Sequence, residues 1–103
     1  MPYLIVEYRF DPPLTDEGLR TAFGALAPCL EVRGIRRLRS WLAEDRRNML
    51  CEFQAADAQT VREAYQSAHV PYARVWSGQL FEFGPPEAPA PAPGAGAEPG
   101  REG

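Results

Sequence analysis

The side chains able to do chemistry are few, and they gather in one stretch. "REAYQSAHVPYARVW" carries the only histidine, His69, four residues after Tyr65 and three before Tyr72. Histidine has the ordinary pKa nearest neutrality and is the commonest metal ligand. Three uses are open to it. It could be a cation at a helix C-terminus, favoured there by the helix dipole. It could be a metal ligand helped by Cys29, Cys51 or an acid. It could be an acid/base facing a small molecule. Tyr8 and Tyr65 could point into one crevice with His69 and Tyr72, forming a pocket that orients a ligand; the other reading is that these rings are core aromatics. Cys29 and Cys51 lack a CxxC spacing and are too few for a disulfide framework. Cys51 alternates toward the core, where a free thiol packs as a small apolar group. Cys29 beside Pro28 has no assigned role.

These residues are placed by a short series of elements. Tyr3–Phe10 is strand-like, with Leu4, Val6, Tyr8 and Phe10 on one side and Tyr3, Ile5, Glu7 and Arg9 on the other. "DPPL" ends it. Thr15 is a suitable N-cap for a helix whose apolar stripe is Leu19, Ala22, Phe23 and Leu26, and Pro28 should kink or end that helix. Ile35–Leu42 and Met49–Gln54 form a hairpin around "AEDRRN". A second helix begins at Asp57, buries Ala58, Val61, Ala64, Tyr65 and Ala68, and stops near His69 because Pro71 restricts Val70. Arg74–Phe83 is a last strand with Gly78 a candidate bulge. The order β-α-β-β-α-β predicts an α+β, ferredoxin-like domain over residues 1–84. Its four-stranded antiparallel sheet has the order 4-1-3-2, with both helices on one face. Residues 85–103, rich in Pro, Ala and Gly, are expected to be a disordered tail.

Such a layout leaves one sheet face bare. Ile5, Arg37, Arg39, Trp41, Leu50 and Trp76 are expected to line it, with Glu7 and Glu52 among them. A face with two indoles and several aliphatic groups is too apolar for a monomer to leave wet, so a homo-oligomer pairing through this face is expected. RNA is disfavoured: the outward positions of the central strands, Ile5, Glu7, Leu50 and Glu52, carry no aromatic ring and two acids. The net charge of −3 gives no general attraction to polyanions. Residues 31–47 are locally rich in arginine, which reads as a solvated strand face with ion pairs. No apolar run suggests a membrane span, and with no signal peptide the expected location is the cytoplasm.

The opening "MPYLIVEYRF", the strand "GIRRLRSW", the cysteine in "MLCEF", "AADAQTVREA" and the proline turn "HVPYARV" together resemble a bacterial family of small ferredoxin-like domains that includes a nickel-binding protein. The resemblance covers roughly residues 1–83. It implies a small metal- or ligand-binding protein, with nickel or another divalent transition metal as the cofactor. It also implies metal-ligating histidines late in the first strand and twice, four apart, on the second helix. Those positions correspond to Tyr8, Tyr65 and His69, so only His69 keeps the ligand type. A phenol, with an ordinary pKa of about 10, is a poor ligand for Ni²⁺ at neutral pH. Two alternatives stand beside metal binding. One is a cofactor-free oxygenase-, isomerase- or cyclase-like enzyme with a pocket near Tyr8, Tyr65 and His69. The other is a structural interaction module.

Overall fold

β1 (Tyr3–Arg9) and β3 (Asn48–Gln54) are segments in which every second residue is apolar. Leu4, Val6 and Tyr8 of β1 and Met49, Cys51 and Phe53 of β3 are buried on one side. The two strands pair antiparallel through the middle of the sheet, from Tyr3 opposite Gln54 to Arg9 opposite Asn48. β2 (Arg36–Leu42) joins the outer edge of β3, and β4 (Arg74–Gly78) the outer edge of β1. The order β2-β3-β1-β4 is the expected 4-1-3-2 read from the other edge. The computed structural model describes residues 2–84. The tail expected over 85–103 lies outside the described residues.

Both helices lie on the buried side. α1 (Asp16–Glu31) starts at Thr15, whose hydroxyl accepts from the Gly18 amide at 2.9 Å. α2 (Ala58–Ala68) starts at Asp57, which accepts from both the amide and the hydroxyl of Thr60. Those Thr60 bonds hold the Asp57 carboxyl below its ordinary range. Leu26 and Leu30 of α1 and Val61, Ala64 and Tyr65 of α2 close over the strand residues to make one core. No helix among the described residues is long and apolar enough to cross a membrane.

The structure decides between the alternatives at Pro28 and corrects two further expectations. α1 does not stop at Pro28 but runs one turn past it. Pro28 and Gly24, four residues earlier, are both exposed, so the carbonyl that loses its donor can face water. Leu26 and Leu30, on either side of the proline, are 0% and 4% exposed, and their burial holds the last turn in place. β4 ends at Gly78 instead of continuing to Phe83. Gly78 pairs with Tyr3, the first residue of β1, so no strand remains for residues 79–83 to pair with; Leu80, Phe81 and Phe83 stay exposed. Arg37 is not on the open face. A β-bulge between Arg37 and Arg39 places Arg37 opposite the buried Phe53 and shifts the alternation of β2. Its guanidinium lies 4.6 Å over the ring of Phe23, a cation–π contact at the rim of the core.

Because Pro28 is held in the helix by its neighbours, replacing it should help. Pro28→Ala restores one backbone hydrogen bond on an exposed face and is expected to raise unfolding stability by about 1–3 kcal/mol. A denaturant titration measures this as a higher midpoint at unchanged slope.

Candidate functional site

Tyr8 leaves β1 toward the helices, and Tyr65 leaves α2 toward the sheet. Both are buried, 3% and 0% exposed, and their hydroxyls are hydrogen-bonded to each other. The Tyr65 ring meets Phe53 edge-on at 6.2 Å between centroids and Tyr72 at 5.3 Å. Burial, reinforced by Tyr65, pushes the Tyr8 phenol far above its ordinary value. Burial does the same to Tyr65, partly opposed by the bond from Tyr8. Cys51 is also buried, and burial raises its thiol although Ser40 donates to the sulfur at 2.9 Å. Arg33, just after α1, donates to the Cys29 carbonyl and to Ser67, tying the end of α1 to α2.

His69 belongs to a different place. It is the C-cap of α2, with φ 58° in the left-handed region. Its amide donates to the Gln66 carbonyl and the Val70 amide to the Tyr65 carbonyl, the pair of bonds of a Schellman motif. The expected shared crevice is therefore corrected. The phenols of Tyr8 and Tyr65 fill the core, whereas His69 is exposed. Tyr65, His69 and Tyr72 border an open depression of about 500 Å³, and Tyr8 is not part of its wall.

This arrangement does not fit a nickel ion. A divalent transition metal needs deprotonated or neutral-nitrogen donors that converge on one point. Of the three positions that the sequence resemblance implied, two hold phenols kept protonated by burial and engaged with each other, and the imidazole sits on an exposed helix cap. Among the described residues, no three His, Cys, Asp or Glu side chains gather closely enough to hold an ion.

Two matched polar clusters lie on the opposite side of the sheet. Glu52 of β3 accepts from Arg39 Nε at 2.8 Å and from Trp41 Nε1 at 3.2 Å, both on β2. Glu7 of β1 accepts from Arg74 Nε at 3.1 Å and from Trp76 Nε1 at 2.6 Å, both on β4. Each central strand thus offers one carboxylate, and each edge strand answers with one guanidinium and one indole. Trp41 and Trp76 remain 62% and 38% exposed. A cleft of about 620 Å³ opens beside Trp41, Leu50 and Glu7; a smaller one of about 150 Å³ lies beside Trp76, Ile5 and Glu52, bordered by Leu80.

Ile5, Arg39, Trp41, Leu50 and Trp76 are where the sequence placed them, but the sequence reading missed the partnership of Arg74 and both acids with the indoles. A signal for it exists. "LIVEY" in β1 is echoed by "MLCEF" in β3, and "RSW" in β2 by "RVW" in β4. The repeat becomes visible once the strands are paired, because the topology relates β1 to β3 and β2 to β4.

The protonated phenols give the fold a pH limit. Folded values raised above the unfolded one mean that this contribution is full below the tyrosine's ordinary pKa of about 10 and is lost as pH climbs beyond it. Tyr8 and Tyr65 are expected to ionise only as the chain unfolds in alkali. Tyrosinate absorbance and circular dichroism recorded together should move in a single step for these two residues.

The profile of a family described as nickel responsive protein SCO4226-like matches residues 3–77. No curated protein matches significantly. Among solved structures, the crystal structure of SCO4226 from Streptomyces coelicolor A3(2) aligns with a TM-score of 0.68 at 14% identity, covering 78% of this chain and 99% of that one. At that identity the likeness is one of fold. The profile, however, runs from the first residue of β1 nearly to the end of β4, and the chain belongs to the nickel-responsive SCO4226-like family.

Proposed function

We propose that this chain is a self-associating interaction domain that works through its open sheet face and does not hold nickel between Tyr8, Tyr65 and His69. The observation that carries the reading is the pair of Trp–Glu–Arg clusters on that face. Two indoles and the side chains of Ile5 and Leu50 form an apolar surface in which each acid already has its donors. Such a surface can be covered without stranding a charge. The metal position, by contrast, is closed by two phenols that satisfy each other.

Nucleic acid is not the partner in this reading, since Glu7 and Glu52 stand at the centre of the face and repel phosphate. The cytoplasm suits the protein, because Cys29 and Cys51 are free thiols. A cofactor-free enzyme has less support in this reading, since Tyr8 and His69 border different cavities and do not converge on one pocket.

Sedimentation at micromolar concentration is expected to give a dimer, and Trp41→Ala/Trp76→Ala a monomer of unchanged helical content. A monomeric parent protein would overturn the self-association. Calorimetric titration with Ni²⁺ is expected to release no more heat from the parent protein than from His69→Ala. Saturable binding that depends on His69 would overturn the second half of the proposal.

A further inference from the structure

The register of the strands arranges the open face as two rows. One reads Arg39–Glu52–Ile5–Trp76, and the other Trp41–Leu50–Glu7–Arg74. Taken from opposite ends, both rows read guanidinium, carboxylate, aliphatic, indole. The face therefore carries a local two-fold axis normal to the sheet, passing between β3 and β1. Its four corners alternate: Arg39, Trp76, Arg74, Trp41. From ordinary sheet spacings the rectangle they mark is about 14 Å across the strands and about 7 Å along them.

Alternating corners have a geometric consequence. When a second copy is laid face to face about a two-fold axis in the plane between them, left and right, or top and bottom, are exchanged. Every indole then falls over a corner that holds a guanidinium. This is true for an axis along the strands and for one across them, the two aligned ways of stacking sheets. Arg39 and Arg74 reach their carboxylates through Nε, so each guanidinium can turn a flat face outward for stacking.

Resting on the reading of this face as a self-association surface, we propose that the interface is built from reciprocal indole–guanidinium stacks. Trp41 and Trp76 of one protomer lie over Arg39 and Arg74 of the partner subunit. Four stacks close one dimer. Glu7 and Glu52 are positioning residues that hold both kinds of corner flat.

Complementation tests this. One variant lacks the indoles (Trp41→Ala/Trp76→Ala); the other lacks the guanidiniums (Arg39→Ala/Arg74→Ala). Neither can form a stack with itself, and each should dimerise at least about tenfold more weakly than the parent. Mixed, they should form a heterodimer tighter than either alone, because the indoles of one meet the guanidiniums of the other. Sedimentation with one variant fluorescently labelled reads this directly. If the arginine variant fails to fold, Arg39→Lys/Arg74→Lys keeps a cation beside each acid but loses the flat face. A parent dimer whose two variants show no mutual rescue would overturn the stacking. A parent monomer would overturn the self-association itself.

Discussion

A four-stranded sheet covered on one face only has to send half of each strand's side chains away from its core, and the rest of this molecule answers to that constraint. On β1 and β3 the two halves are sharply different. Leu4, Val6, Cys51 and Phe53 are fully buried beneath α1 and α2, while Ile5, Glu7, Leu50 and Glu52 face the other way. The covered side is filled by apolar packing and one phenol pair. The open side is organised by hydrogen bonds in which every acid at the centre is met by two donors from the neighbouring edge strand. Order on a surface that water could otherwise satisfy is what supports the interaction role proposed for that side.

The Tyr8–Tyr65 contact illustrates how two polar groups can be accommodated in a dry core. A hydroxyl buried alone costs roughly 1–3 kcal/mol, but two that meet can satisfy each other. The pair thus joins the central strand to α2 in a region too dry for either phenol to ionise. His69 stands apart from that pair. Its backbone ends α2 in a conformation usually taken by glycine, and what the position demands of it is conformational tolerance.

Much of this was legible from residue order. Period-two alternation in β1 and β3, the caps Thr15 and Asp57, and the turn at Val70–Pro71 define the elements, and their succession leads to the sheet order. What escaped has particular causes. The bulge that moves Arg37 to the helix side goes with a contact to Phe23, which lies on another element and is not visible within β2. At Pro28 the sequence left both an end and a further turn open, and the burial of Leu26 and Leu30, a tertiary effect, favours the further turn. The end of β4 is set by where β1 begins. The pairing of acids with indoles needs the cross-strand register, which no single strand contains.

That register has a bearing on how the chain acquires its shape. β1 is made before the other three strands, yet it occupies the interior of the sheet and borrows one neighbour from residues 48–54 and the other from residues 74–78. The hairpin of β2 and β3 can assemble early from local contacts, whereas the first strand has to wait for the last. Closing so long a loop is the entropically slow part of the search. Until it closes, β1 exposes two unpaired backbone edges flanked by apolar side chains, and the nascent chain is most vulnerable to aggregation in that interval.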